Sequence, residues 1–282
     1  MNKWKNNPVI VIGMHRSGTT MLTKVFDKLD VFMGTNVEHN SESIPFLRLN
    51  ERIFTKYKIK WSNVKDAERT IDQYFEQIKN FMCNEINKRE FICDYLKNSR
   101  FQKLEEIKHF GWKDPRNTFL IDIYLNLFPK AKIIHIFRNP VDVALSLSSR
   151  EEKFNNSSKL AWFYHTRKFK FKNGFYVKRE PSLIDLNIGF DLWKKYVERS
   201  FLNKDALHIK YESLLNEPKK EIEKILQFLS IPANKELVDS ILTEFKQDRS
   251  LSFLKTQRGL QFYETIKNDP LLKELGYHNL TS

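Results

Sequence analysis

The sequence predicts an α/β protein in which helices cover both faces of a central parallel sheet, giving three layers. Residues 9–12 (Val-Ile-Val-Ile) are β-branched and lie between a proline and a glycine, which is typical of a short buried strand. Residues 132–137 form a second apolar run that ends at Asn139-Pro140. Apolar residues at helical spacing follow both runs. Strands that alternate with helices favour parallel pairing, because the helix provides the crossover.

The remaining helices and strands are predicted from the helical and strand periods of the apolar residues. Helices are predicted over residues 21–29, 68–87, 117–128, 141–149, 188–201, 219–229 and 234–246, and further strands over residues 91–93 and 206–210. Residues 150–182 are polar, aromatic and basic without a steady period, so we expect a lid or insertion there. No Pro-, Gly- or Ser-rich linker divides the 282 residues, which favours a single domain over 1–282.

Composition narrows the class of protein. Hydrophobic residues make up 41% and aromatic residues 13%, which excludes a disordered chain. The net charge of +13 favours anionic partners such as nucleotides or acidic glycans. The only cysteines, Cys83 and Cys93, are expected to be reduced core thiols of a cytoplasmic protein. No run approaches the roughly 18 apolar residues that a membrane span needs, and no signal peptide is expected.

Residues 13–20 (Gly-Met-His-Arg-Ser-Gly-Thr-Thr) connect the first strand to the first helix and predict a phosphate-binding loop. The two glycines have the spacing of the nucleoside triphosphate loop, Gly-x4-Gly-Lys-Ser/Thr. Thr19 stands where that loop has its lysine, which makes an ordinary kinase or ATPase a poor match. A cation occurs earlier, at Arg16, where it could stabilise charge on a leaving oxygen.

This loop resembles the 5′-phosphosulfate loop of the sulfotransferase superfamily, in the arginine form of its bacterial and tyrosylprotein branches. The resemblance implies a P-loop-like α/β fold and 3′-phosphoadenosine-5′-phosphosulfate (PAPS) as the sulfuryl donor. It also implies a nucleotide partner and a hydroxyl acceptor. The loop residues that it assigns to the donor are Arg16, Ser17, Gly18, Thr19 and Thr20, and His15, next to them in the sequence, is also expected at the donor.

Three later segments match the same family. The string from Arg138 to Ser146 resembles its 3′-phosphate motif, with Arg138 and Ser146 as ligands and Arg150 as a further basic ligand of the tyrosylprotein branch. Lys113, in Lys-Asp-Pro, matches a lysine beside the sulfuryl oxygens. Tyr211, in Tyr-Glu-Ser-Leu, matches a tyrosine near the adenine or the 3′-phosphate. The resemblance covers residues 8–230, whereas the insertion and the tail after about 247 match poorly.

Sulfuryl transfer to a hydroxyl needs a base, which we expect in the loop of residues 34–44. The string Asn-Ser-Glu-Ser around Glu42 resembles bacterial carbohydrate-modifying members, and the distance of Glu38 from Arg16 resembles the tyrosylprotein branch. Glu42 is the first choice and Glu38 the second.

The basic, aromatic stretch 165–179 favours a carbohydrate-type acceptor, although such stretches also bind single-stranded nucleic acid; we expect no DNA partner.

Two other functions remain open from the residues. One is a phosphotransferase that uses a nucleoside triphosphate, for which Asp94 is the best magnesium-binding acid. The other is a non-enzymatic, basic glycan-binding protein. No cluster has the spacing of metal ligands, so no metal is predicted.

Overall fold

The structure, a computed structural model, describes residues 3–37, 41–156, 180–242 and 250–280. Four parallel strands form one sheet in the order β2–β1–β3–β4. The strands are β1 (Val9–Ile12), β2 (Gly111–Lys113), β3 (Lys132–Phe137) and β4 (Leu207–Lys210). A parallel sheet flanked by helices confirms the predicted α/β class.

The chain divides into two compact units, described separately below. The first comprises Met1–Phe137 and Tyr196–Gln247, and the second comprises Arg138–Lys195 and Asp248–Ser282. The helices, in chain order, are α1 (Thr19–Lys28), α2 (Ile44–Lys56), α3 (Val64–Gln73), α4 (Phe75–Ile86), α5 (Arg89–Tyr95), α6 (Asn117–Leu127), α7 (Pro140–Asn156), α8 (Leu186–Phe201), α9 (Tyr211–Asn216), α10 (Pro218–Leu229), α11 (Lys235–Leu242), α12 (Gln257–Ile266) and α13 (Pro270–Glu274). That the chain acts as one domain stays a prediction.

The sheet of the first unit is covered on both faces because successive strand residues point to opposite sides. Val11 and Ile136 belong to an apolar core with residues of α1, α9, α10 and α11. On the other face, Trp112 of β2 is fully buried. Its ring stacks on Phe46 of α2 at 3.8 Å and also contacts Tyr124 of α6.

Several local predictions are wrong. Residues 91–93, predicted as a strand, belong to α5, and Cys93 is exposed although both cysteines were expected in the core. A three-residue apolar run cannot separate strand from helix by period alone. The predicted helix 68–87 is two helices, α3 and α4, which meet at Tyr74 with φ −112° and ψ 21°. Helix α2 and strand β2 have no counterpart among the predicted elements.

The insertion predicted over residues 150–182 begins later than expected. Helix α7 continues to Asn156, so the first residues of the range 150–182 are helical. A short 3-10 turn, Pro181–Ile184, lies at its end. The rest of the insertion, residues 157–179, lies outside the described residues, and so does the basic stretch 165–179. Across the described part of the chain, no helix combines the length and apolar character needed to cross a membrane.

His135 of β3 and His208 of β4 form a pair across adjacent strands. Their Nδ1 atoms lie 2.9 Å apart, so one ring donates a hydrogen bond to the other. Burial, and then the neighbouring His208, lower the pKa of His135 well below its ordinary value of 6.5. Burial also lowers the pKa of His208. Both rings are therefore neutral in the folded protein at neutral pH.

We expect the free energy of unfolding to fall as the pH drops below about 6.5, because the unfolded chain then binds protons that the folded protein excludes. The fully buried His135 contributes up to about 1.4 kcal/mol per pH unit between its unfolded and folded pKa values. Urea unfolding at about pH 7.5 and about pH 5 measures the slope. His135→Gln should flatten it, and His109→Gln, at a partly exposed histidine, should flatten it less. An unchanged slope in His135→Gln would contradict this assignment.

Candidate active site

The predicted phosphate loop lies between β1 and α1 at the carboxyl edge of the sheet. It leaves β1 at Gly13, where a Cβ atom would lie 2.3 Å from the carbonyl oxygen of Ile136 in β3. Only glycine permits that approach, and the backbone there has φ +135°. The loop therefore starts against the end of the neighbouring strand.

The middle of the loop combines an exposed cation with a buried hydroxyl. Arg16 is exposed and adopts the left-handed conformation, with φ 73°. Ser17 is 1% exposed, and its hydroxyl has no hydrogen-bond partner among the described residues. Buried hydroxyls normally find a partner, so this hydroxyl can hydrogen-bond to a ligand bound in the loop.

Helix α1 begins directly after the loop. Its N-cap is Gly18, which offers no side-chain cap, and its first turn carries no acidic residue. The N–H groups at such a helix start attract an anion. The loop thus has the chemistry of a phosphate or phosphosulfate site.

Tyr211, at the start of α9, packs against the loop glycine. A Cβ atom on Gly18 would lie 2.2 Å from Cδ2 of the Tyr211 ring, and Gly18 has φ +91°. The tyrosine ring, which is 5% exposed, therefore occupies the space that a side chain at position 18 would need. This brings two predicted donor-site residues into contact.

Two polar residues at the start of α6 hold the point where β1 passes into the loop. The Asn117 side chain donates to the carbonyl of Val11 at 3.0 Å, and Thr118 Oγ1 accepts from the Gly13 N–H at 3.1 Å. Both contacts are buried, so they fix where the chain leaves the sheet.

Lys113 and Glu42 form a buried ion pair at the end of β2. Lys113 Nζ donates to Glu42 Oε1 at 3.1 Å, and the side chains are 1% and 11% exposed. Lys113 pairs with Val11 in the strand register, so it lies at the same sheet edge as the phosphate loop. The predicted sulfuryl-binding cation and the first-choice base are therefore neighbours.

The segment that carries Glu42 is fixed on both sides. The Ile44 N–H donates to the carbonyl of Asn36 at 2.8 Å, and Val37 forms an antiparallel bridge with Ser43. The Asn36 side chain donates to Asp94 at 2.6 Å. Glu38, the second-choice base, lies outside the described residues.

Behind Lys113 lies a buried polar network that the sequence did not reveal. Arg116 donates to the carboxylates of Asp114 and Glu51, and Asn50 donates to Asp114 at 3.0 Å. Burial alone would lower the pKa of Arg116, but the Asp114 and Glu51 carboxylates raise it. The guanidinium is therefore charged at any physiological pH. The only sequence signal was a Lys-Asp-Pro-Arg string in an apolar setting.

The predicted 3′-phosphate residues belong to the second unit. Arg138 lies two residues before α7, and Ser146 and Arg150 share one face of that helix because they are four residues apart. Arg138 Nη2 donates to Asp142 Oδ2 at 2.9 Å, and Arg150 forms an ion pair with Glu151. The described residues contain no group of three or more acidic, histidine or cysteine side chains arranged to hold a metal.

The contact between Gly18 and Tyr211 can be tested by stability. Gly18→Ala should destabilise the protein by about 1–3 kcal/mol through its backbone conformation, and further through displacement of the tyrosine ring. Tyr211→Ala removes the ring, so the double variant should lose less free energy of unfolding than the two single variants lose in sum. Urea unfolding of the four proteins gives this coupling. Strict additivity would show that the ring does not constrain position 18.

Comparison with known proteins gives three kinds of match. The sequence is 24% identical over 261 residues to an uncharacterized protein of Aquifex aeolicus (strain VF5), covering 90% of this chain and 28% of that one. It is 29% identical over 123 residues to sulfotransferase 1A1 of Rattus norvegicus, covering 42% and 38%. It is 28% identical over 175 residues to the 3-beta-hydroxysteroid sulfotransferase of Cavia porcellus, covering 56% and 51%. The chain thus spans about a quarter to a half of the length of these curated relatives.

Two solved structures resemble the chain as a whole. The sulfotransferase domain from the curacin biosynthetic pathway has a TM-score of 0.49 at 15% identity, covering 98% of this chain and 99% of that one. The sulfotransferase STF9 of Mycobacterium avium has a TM-score of 0.46 at 13% identity, covering 94% and 77%. Scores at this level carry no argument about the site.

The family model described as "Sulfotransferase family" matches residues 8–235, which include the phosphate loop, Lys113, Arg138 and Tyr211. Because this match spans most of the sequence, the chain belongs to the sulfotransferase family.

Proposed function

We propose that the protein transfers a sulfuryl group from PAPS to a hydroxyl acceptor and releases adenosine 3′,5′-bisphosphate. The observation that carries the proposal is the 3.1 Å contact between Lys113 and Glu42 at the sheet edge where the phosphate loop also begins. A cation and a carboxylate are the two groups that sulfuryl transfer to a hydroxyl needs beside the donor.

The donor contacts follow the resemblance. The proposal assigns the 5′-phosphosulfate to the loop residues from His15 to Thr20, including the guanidinium of Arg16 and the unpartnered hydroxyl of Ser17. It assigns the 3′-phosphate to Arg138, Ser146 and Arg150, and places Tyr211 near the adenine or the 3′-phosphate. Within the loop, the exposed position of Arg16 suits contact with the leaving oxygen, and the buried hydroxyl of Ser17 suits contact with the 5′-phosphate.

In the proposed reaction the acceptor oxygen attacks sulfur as the bond from sulfur to the bridging oxygen breaks. The electron pair of the broken bond stays on the 5′-phosphate, where Arg16 stabilises it. The acceptor proton moves to the Glu42 carboxylate, which becomes neutral. Loss of that negative charge leaves the Lys113 ammonium to act on the sulfuryl oxygens, so proton transfer and charge stabilisation reinforce each other.

The structure does not favour the alternative of a phosphotransferase. Thr19 lies in the first turn of α1, where a nucleoside triphosphate site has its lysine. Asp94, the predicted magnesium-binding acid, belongs to helix α5 instead of following a strand. Its two carboxylate oxygens accept from Asn36 and Arg48, at 2.6 and 3.2 Å.

The acceptor and the location are the finer parts of the proposal. A carbohydrate-type hydroxyl is supported by the resemblance around Glu42 and by the aromatic, basic composition of residues 165–179. The cytoplasm is supported by the presence of only two cysteines, both unpaired. A panel of sugar, phenol and alkyl alcohols tests the acceptor, and turnover with phenols alone would contradict the carbohydrate assignment.

Calorimetry tests the donor. Adenosine 3′,5′-bisphosphate should bind the wild type, whereas ATP with magnesium should bind far more weakly. Arg138→Ala should lower the affinity for the bisphosphate by about 10- to 100-fold, because a charged hydrogen-bonding partner is lost. Arg69→Ala, at an exposed arginine of α3, is the matched control and should change nothing. Tight ATP binding without bisphosphate binding would overturn the proposed function.

Turnover tests the base. Glu42→Gln should lower kcat by about 10²- to 10⁴-fold while bisphosphate affinity stays within about twofold, since glutamine keeps the shape and can still accept from Lys113. Glu38→Gln is the matched control and should retain activity. The assay follows release of adenosine 3′,5′-bisphosphate with the best acceptor of the panel. An active Glu42→Gln with an inactive Glu38→Gln would transfer the role to Glu38.

A further inference from the structure

One carboxylate in the second unit joins Arg138 to a segment of the tail. Asp142 Oδ2 accepts from Arg138 Nη2 at 2.9 Å and from the Ser252 N–H at 3.2 Å. Asp142 Oδ1 accepts from Ser252 Oγ and from the Phe253 N–H, both at 2.8 Å. The Asp142 side chain is 1% exposed, so four donors converge on a buried charge.

This carboxylate does not serve as the cap of its own helix. The Asn139 side chain takes that role, because its Oδ1 accepts from the N–H groups of Val141 at 2.9 Å and of Asp142 at 3.3 Å. An acidic residue in the first turn ordinarily interacts with its own helix start. Here both Asp142 oxygens bind the arginine and the tail segment instead.

The tail segment is held in a defined conformation. Leu251 has a left-handed backbone, with φ 48°, and the 3-10 turn Ser252–Lys255 follows it. Phe253 is 1% exposed. Further along, Arg258 donates to Ser148 Oγ at 2.8 Å and to Glu152 at 2.9 Å, both on α7. The segment therefore contacts α7 at its first turn, and α12, which follows it, contacts α7 further along.

The hydroxyl of Ser252 contacts both the Arg138 guanidinium and the Asp142 carboxylate. Ser252 Oγ is 3.4 Å from Arg138 Nη2 and 2.8 Å from Asp142 Oδ1. A guanidinium is a rigid, planar group, and contacts on one nitrogen fix the direction of its remaining donors. Asp142 and Ser252 together therefore set the orientation in which Arg138 presents itself to a ligand.

We infer that Asp142 and Ser252 are positioning residues for the 3′-phosphate of the donor, acting through Arg138. The inference rests on the proposed function, which assigns Arg138 to that phosphate. It extends the donor site to a tail segment, residues 250–256, that lies beyond the family match at 8–235. The ligand chemistry is a phosphate monoester on a ribose, and the two residues orient its arginine without touching it.

The test compares two nucleotides that differ only in the 3′-phosphate. Calorimetry with adenosine 3′,5′-bisphosphate and with adenosine 5′-monophosphate gives the affinity ratio that this phosphate contributes. Asp142→Asn should reduce the ratio by about tenfold and Ser252→Ala by about three- to tenfold, with monophosphate affinity unchanged. Ser252→Thr keeps the hydroxyl and should restore most of the ratio. Ser182→Ala, at an exposed serine of the same unit, is the matched control.

A purely structural role for these residues predicts a different result. In that case the variants would have a lower melting temperature and would bind both nucleotides equally less tightly. The affinity ratio would then stay unchanged, and that outcome would overturn the inference. If Asp142→Asn does not fold, Ser252→Ala and Ser252→Thr decide. Failure of the wild type to bind the bisphosphate would instead refute the proposed function. If Arg138→Ala lowers the ratio and Ser252→Ala does not, the inference alone is refuted.

Discussion

The close approach of Gly13 to the carbonyl of Ile136 is the constraint on which the geometry of the first unit depends. Parallel strands leave the sheet at one edge, and at this edge the loop after β1 must pass directly over the end of β3. Asn117 and Thr118 then hold the exit of β1 with buried hydrogen bonds. The sheet order places β2 on the other side of β1, so Lys113 reaches the same edge. A displaced loop exit would separate the arginine loop from the lysine.

The second requirement is that buried charges stay paired. Removing an ammonium or a carboxylate from water costs several kcal/mol, and a lone buried charge is strongly destabilising. Lys113 is compensated by Glu42, and Arg116 by Asp114 and Glu51. Such pairs contribute little net stability, because attraction is offset by desolvation. Under the proposed function their value lies in fixed positions, since charge stabilisation in a transition state needs groups that do not reorganise.

The sequence predicted those parts of the fold that local chemistry determines. β1 ends at a glycine and β3 ends just before Asn-Pro, and both strands have the predicted bounds. β2 was missed because three residues give no period. The strand predicted at 91–93 is part of helix α5, from which Phe91 packs on the rings of Trp4 and Phe46. In the site, the loop glycines were visible as a spacing, whereas the network around Arg116 joins Asn50, Glu51 and Asp114 across tertiary contacts that no local pattern encodes.

Three of the cations that the proposed function assigns to the donor are paired with an acidic side chain of their own unit, and such pairing reduces repulsion among cations in a basic protein. A chain with a net charge of +13 repels its own cations, most of all where several face one anionic ligand. Lys113, Arg138 and Arg150 are paired with Glu42, Asp142 and Glu151. An arginine can keep its carboxylate while binding a phosphate through other donors, because the guanidinium carries five. A lysine is a point charge that its partners must share. Under the proposed function, Arg138 and Arg150 therefore suit the 3′-phosphate, which stays bound throughout, and Lys113 suits the sulfuryl group, which is transferred.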